Sequence, residues 1–345
     1  MTIYALPEAP RHADPYDGGR AAVEELCRSV FAKPYLRMPQ LAALRAHDEA
    51  RGSGYVATLA TCLDSLGNAA ASAERLGVHV NTFRYRLRRL AEVGGIDLDD
   101  PDTRLVLGLE LAAPPPDPWP PSSGEAPVAV VALRVLGGDD DAPCRLARMV
   151  ALSWDALRTS AGCDVAGHVV YSVVSLGSAS SAAVVTATVR RAVREAENAL
   201  SLPVLAGIGP AVAGTCEVEV SRRLADDVLR ALASRGGERV ATLEDVRTEV
   251  VLRAFAAAAS EWPDLDGGAV ARLAAHDAAH GTRYVATLRT YLECFGDVGE
   301  AATRAYVHVR TFRYRLRRIE ALSGLCLRDP AWRLAAHLEL RVRPR

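Results

Sequence analysis

Along residues 80–90, apolar side chains recur as Phe83, Leu87 and Leu90, at i, i+4 and i+7, which lays them on one face of a helix. With that stripe turned inward, Asn81, Tyr85, Arg88 and Arg89 point outward, and Thr82 and Arg84 sit on the flanks. Upstream, Thr58 to Leu66 is apolar-periodic and stops at Gly67-Asn68. Ala70 to Leu76 then predicts a short helix broken by Gly77. Ala73 followed by Gly77 suits the elbow of a helix-turn-helix: Ala lets two helices approach, and Gly accepts a left-handed turn. Val78 plugs the core between the helices.

The middle of the chain has a different rhythm. Val128 to Val135 is a continuous apolar run that predicts a buried strand, and Pro143 to Leu157 predicts a helix. Gly167 to Leu176 reads as strand or hairpin, Ser181 to Leu200 as an amphipathic helix, and Val204 to Val212 as strand and turn. Val218 to Ala233 is helical again, and Arg239-Val240-Ala241 ends the segment. Strands alternating with helices imply an α/β layer of ferredoxin-like type.

The first pattern returns near the other end. Thr82 to Arg89 (TFRYRLRR) recurs unchanged as Thr311 to Arg318, and Tyr55 to Leu59 recurs as Tyr284 to Leu288. His47-Asp48, His79-Val80, Asp100-Pro101 and Leu109-Glu110-Leu111 have counterparts at His276-Asp277, His308-Val309, Asp329-Pro330 and Leu338-Glu339-Leu340. All share the spacing of Tyr55 from Tyr284, so the copies align without a gap, and about half of the aligned positions are identical. This is an internal duplication. Between the copies, Ala112 to Pro127 is too Pro-rich for a helix and reads as a semi-rigid linker.

Composition narrows the chemistry. A formal net charge of −1 confines any nucleic-acid surface to a local patch. Lys33 is the only lysine, and the abundance of Arg and Ala reflects a GC-rich genome. The seven cysteines contain no C-x-x-C pair, which argues against a disulfide framework and against a zinc site and points to reduced, mostly buried thiols. No apolar run is long enough to cross a membrane, and Met1 to Asp14 lacks the apolar core of a signal peptide. A cytoplasmic protein without cofactor or metal is expected.

Within that frame the 80–90 helix is the candidate for chemistry. Four arginines fall between Arg84 and Arg89, with no acid to interleave them before Glu92. Asn reads adenine and Arg reads guanine in the major groove, and Thr and Tyr can also reach phosphates. The first turns of a recognition helix make the base contacts. Base reading therefore falls to Asn81, Thr82 and Tyr85, and mainly phosphate contact to the later arginines, Arg88 and Arg89, with Arg84 on the flank as a further DNA contact. Arg86 lies nearer the buried stripe and is a candidate to pair with an acid from Asp97-Leu98-Asp99-Asp100. His79 reads as a cap or packed residue. In the second copy the corresponding residues are Arg310, Thr311, Arg313, Tyr314, Arg317 and Arg318.

The residues Tyr55-x-x-Thr58-Leu59, Gly67-Asn68, Leu76-Gly77-Val78-His79, Asn81-Thr82, Tyr85 to Arg89, Gly95 to Leu98 and Asp100-Pro101 resemble the C-terminal DNA-binding domain of the PucR/CdaR family of bacterial regulators. The resemblance covers roughly residues 41–112 and 270–342. It implies a transcription regulator, not an enzyme, bound to double-stranded DNA at the nucleoid, with a homo-oligomeric state and a small-molecule effector. The family carries this domain once, at its C-terminus, so residues 1–54 read as the remainder of a shortened upstream unit. Gly207-Ile208-Gly209 with Ser221, Arg222 and Ala225 is similar to the degenerate GGDEF-like domain of the same family. Gly137-Gly138-Asp139-Asp140-Asp141 directly follows the first strand, whereas the cyclase signature sits on a hairpin, here near Ala166-Gly167-His168, where the acidic pair is missing. The acidic run is therefore read as a solvated turn.

The expected architecture is multidomain, α plus α/β: two all-α helix-turn-helix domains flanking a ferredoxin-like, GGDEF-like α/β domain. The boundaries are 1–40 for an N-terminal remnant, 41–112 for the first copy, 113–127 for the linker, 128–246 for the middle domain, 247–269 for a helical connector and 270–345 for the second copy. The middle domain would serve dimerisation or effector sensing. In the second copy Ala305 and Tyr306 replace Leu76 and Gly77, and Arg310 replaces Asn81, so that copy reads a different half-site or serves as scaffold. The competing reading is a protein-interaction regulator that has lost DNA binding.

Overall fold

The computed structural model describes residues 17–115, 127–155, 160–175, 182–213, 217–260 and 268–342. The chain divides into two compact units. One comprises residues up to Lys33, Arg37 to Pro116 and those from Leu252 on; the other comprises Pro34–Leu36 and Asp117–Val251.

The first six helices are α1 (Asp17–Phe31), α2 (Pro39–Arg51), α3 (Tyr55–Asp64), α4 (Ala69–Arg75), α5 (Val80–Gly94) and α6 (Pro101–Ala112). Their ends follow from capping chemistry. Pro39 and Pro101 occupy the first turn, where no N–H is needed. The Asn68 side chain accepts the Ala70 and Ala71 amides, and the Asp100 carboxylate accepts the Thr103 amide. Gly95 closes α5 in the left-handed conformation, at φ 61°. The expected recognition helix ending near Leu90 thus runs one turn further.

The second unit follows the chain through β1 (Pro127–Val135), α7 (Ala142–Asp155), β2 (Ser160–Ala166), β3 (Val169–Ser175), α8 (Ala182–Leu200), β4 (Val204–Ile208), β5 (Val212–Ala213), α9 (Val218–Arg235) and β6 (Val240–Thr242). The strands form one mixed sheet in the order β2-β3-β1-β4-β6, with β5 on β1. β1 lies antiparallel to both β3 and β4, and β4 runs parallel to β6. Leu146, Val150 and Trp154 of α7 and Val185, Val189 and Val193 of α8 share one core with Val131, Leu133, Val170 and Ala206 of the sheet. Helix α9 packs on β1 and β4. Gly207 and Gly209 allow this close approach: a Cβ on Gly209 would lie 2.1 Å from the Ser221 carbonyl oxygen. The buried Ser221 hydroxyl accepts the Val130 amide and donates to the Pro210 carbonyl, tying α9 to the sheet.

Strand β2 was not anticipated, since Ser160 to Ala166 mixes small and polar residues with no apolar alternation. Gly167-His168 forms the β2–β3 turn, and the Asp139 to Asp141 run is an exposed loop paired with Arg145. Most of the Pro-rich linker lies outside the described residues.

The boundary between the units falls within α10 (Arg247–Ala259), after which α11 (Ala269–His280), α12 (Tyr284–Glu293), α13 (Val298–Arg304), α14 (Val309–Ser323) and α15 (Pro330–Val342) return to the first unit. These five repeat α2 to α6. Of the six described cysteines, Cys27, Cys62 and Cys294 are buried, and burial pushes the Cys27 thiol up to about 12; Cys144 and Cys326 are exposed. Among the described residues no helix is long and apolar enough to cross a membrane, and no His/Cys/Asp/Glu group could hold a metal ion.

Candidate nucleic-acid interface

Helix α5 is held by one face. Phe83 and Leu90 are fully buried and Leu87 partly, and Phe83 packs with Cys62 and Ala73. On the other side Asn81, Thr82, Arg84, Tyr85, Arg88 and Arg89 are all exposed, as the periodicity implied. The Arg88 guanidinium lies 6.0 Å from the Tyr85 ring centroid, and Arg89 pairs with Glu92 at 2.5 Å. The His79 ring caps the helix, its Nδ1 accepting the Asn81 amide at 3.2 Å. Arg86 does not pair with the 97–100 loop. Its guanidinium points instead toward Gly54, while Arg104 takes the carbonyls of Leu98 and Asp99.

Helix α14 repeats this arrangement. Phe312 and Ile319 are buried, His308 caps, and Arg310, Thr311, Arg313, Tyr314, Arg317 and Arg318 are exposed. Among the described residues none of these four arginines has an ion pair. Both elbows require a left-handed residue, with φ of 63° at Gly77 and 53° at Tyr306. Tyr306 meets that demand without glycine's freedom, and the residue is 96% exposed. Tyr306→Gly should therefore stabilise the unit by about 1 kcal/mol, read as a raised midpoint in urea unfolding.

Several repeated residues prove to position this face. The Asp48 carboxylate accepts the Tyr55 and Val56 amides at the start of α3, and Asp277 does the same for Tyr284 and Val285. Burial raises the Asp48 pKa, but these N–H bonds outweigh it and hold the group below its ordinary value. Glu110, 1% exposed, accepts the Met38 amide, and Glu339 accepts the Val270 and Ala271 amides. The Tyr-x-x-Thr-Leu signature is structural, with Tyr55, Thr58 and Leu59 all buried.

The two copies also touch each other, within the same unit. Arg104 on α6 donates to the Glu293 carbonyl at 2.6 Å, and Arg333 on α15 donates to the Asp64 carbonyl. Arg341 pairs with Asp102, and α1 packs on both α6 and α15. A cleft of about 430 Å³ opens on this seam, lined by Leu63, Leu66, Arg104, Phe295, Arg333 and His337 among others. Burial, and next the guanidiniums of Arg104, Arg341 and Arg289, pull the His337 imidazole from 6.5 down to about 4. The unfolded chain therefore binds the extra proton first as pH falls. Stability from this group is complete above pH 6.5 and is lost as pH drops toward 4. The loss should be on the order of 2 kcal/mol in urea titrations of the whole chain, and His337→Leu should flatten that step.

Sequence reasoning missed this seam. One signal was available: α6 buries Arg104, Leu105, Val106, Leu107, Leu109 and Glu110, more than one face of a lone surface helix accounts for.

Comparison with known proteins bears on both copies. Residues 55–113 and 284–342 each match the model of the PucR C-terminal helix-turn-helix domain. The chain is 38% identical over 100 residues to the proline-responsive transcriptional activator PutR of Bacillus subtilis (strain 168), covering 28% of this chain and 24% of that protein. It is 43% identical over 56 residues to the purine catabolism regulatory protein of the same organism, covering 16% and 10%. The chain thus spans a quarter or less of the length of these curated relatives. The crystal structure of a regulator of polyketide synthase expression from Bifidobacterium adolescentis aligns over 75% of this chain and 92% of that one at 16% identity, with a TM-score of 0.33, too low to relate the two folds.

Proposed function

Because the chain carries the PucR C-terminal helix-turn-helix domain twice, we propose that it is a sequence-specific, DNA-binding transcriptional regulator that reads duplex DNA with α5 and α14. One observation carries this reading. In both copies a helix anchored by a buried aromatic presents an exposed Asn/Arg–Thr–Arg–Tyr–Arg–Arg face, largely without neutralising acids. Phosphate binding by such a face releases counterions, so affinity must fall steeply with added salt. Electrophoretic mobility shifts on genomic fragments across a salt series test it; binding that ignored salt would instead favour the protein-interaction reading. Asn81→Ala should relax preference at one base pair by roughly 1–3 kcal/mol and leave the others unchanged, measured by binding to single-substitution operators.

The relatives' names, a proline-responsive activator and a purine catabolism regulator, support a regulator that answers to a small metabolite. The strand order β2-β3-β1-β4 with α7 and α8 on one face supports a ferredoxin-like, GGDEF-like layer in the middle. This layer is the proposed seat of homo-oligomerisation or effector sensing in a cytoplasmic protein. The β2–β3 turn is Gly167-His168, with no carboxylates to hold Mg²⁺, and this supports a non-enzymatic role. Turnover of GTP by purified protein would overturn that part.

A further inference from the structure

The contacts between the two copies are reciprocal. Arg104 binds the carbonyl of Glu293, and its repeat counterpart Arg333 binds the carbonyl of Asp64, the counterpart of Glu293. The same exchange holds at the turns before α4 and α13. A Cβ on Gly67 would lie 2.8 Å from the Phe295 ring, and a Cβ on its counterpart Gly296 would lie 2.6 Å from Leu66, the counterpart of Phe295. Leu66 and Phe295 both stand at φ 51°, a left-handed conformation costly for such side chains, and each is seated against the other copy's glycine. The Arg104 guanidinium lies 4.5 Å from the Phe295 ring centroid, and Leu334 of α15 meets Gly108 of α6.

An interface in which i touches j′ and j touches i′ is isologous, the signature of a two-fold axis. Two subunits usually make it; here a single chain makes it with itself. We infer that one chain is a prebuilt pseudo-dimer of reading heads, which recognises one imperfect inverted repeat in duplex DNA. The two-fold relates α5 to α14, and the local two-fold of B-DNA relates the halves of an inverted repeat, not of a direct repeat. The reading faces differ at a single position, Asn81 against Arg310, because Thr82 to Arg89 and Thr311 to Arg318 are the same. The half-sites therefore differ where these residues reach, adenine under Asn81 and guanine under Arg310.

The inference rests on the DNA-reading proposal, and one experiment separates them. Sequences bound by the full chain are selected from random duplexes, and the stoichiometry on the selected site is measured by native mass spectrometry. An inverted pair of unequal half-sites at one fixed spacing is expected, one such site per chain at saturating DNA, so that an oligomer joined through the middle layer takes up as many sites as it has chains. Asn81→Arg, a surface change, should make the selected site symmetric, with guanine preferred roughly 10- to 100-fold at the altered position. Arg104→Ala with Arg333→Ala should free the heads from each other and weaken binding to the full site about 100-fold, toward the affinity for one half-site. A lone half-site, a direct repeat, or two chains still needed per inverted repeat at saturating DNA would overturn the pairing while leaving DNA reading intact. Absence of any selected sequence would remove both.

Discussion

Replacing Arg88, Arg89, Arg317 and Arg318 together with alanine is expected to lower affinity for every duplex, specific or not, on the order of a thousandfold at 0.1 M salt. Each phosphate contact contributes about 0.9 to the slope of log affinity against log salt, so four lost contacts should flatten that slope by roughly 3 to 4. The fold should survive, because all four side chains are exposed and, among the described residues, the one ion pair lost, Arg89 with Glu92, lies at the surface. An unchanged slope in a variant with an intact unfolding transition would place the DNA-binding face elsewhere. Loss confined to one operator would assign these arginines to base reading instead.

Phe83→Ala is expected to cost about 3–5 kcal/mol, the range for emptying a closed aromatic site. The ring is fully buried against Cys62 and Ala73 and is flanked by Leu76, Val78 and Leu87. Phe295 of the second copy borders the same cluster, so the cavity would also undermine the seam. Phe312→Ala removes the equivalent ring from a cluster built from residues of its own copy, Cys294, Ala301 and Ala302. Urea unfolding followed by hydrogen exchange separates the two. Phe83→Ala should raise exchange in α12 and α13 as well as in its own helices, whereas Phe312→Ala should act mainly on the second copy. Equal and local effects from both would mean that the copies fold independently.

The sequence by itself determined the local structure of each copy. A stripe such as Phe83, Leu87 and Leu90 needs only helical geometry to become one face, and the opposite residues are then exposed without further information. The new helix start at Asn68 and the His79 cap act over a few residues, so they too were legible, as was the duplication itself; the Asp100 cap and the Gly95 stop, one turn beyond Leu90, were seen only in the structure. The middle segment was less so. Its helices and apolar strands stood out, but Ser160 to Ala166 becomes a strand only because β3 offers it an edge to pair with.

Only the tertiary structure decided what the duplication builds. Leu66, Gly67, Arg104, Phe295, Gly296 and Arg333 are ordinary residue types whose roles depend on partners in the other copy, 189 residues along the chain for Arg104 and 269 for Arg333. Periodicity carries no information at that separation. Nor does it explain a buried arginine, which costs free energy until carbonyl oxygens from two copies converge on it. That convergence is a property of the packed unit, and it turns two similar helical segments into a two-fold pair.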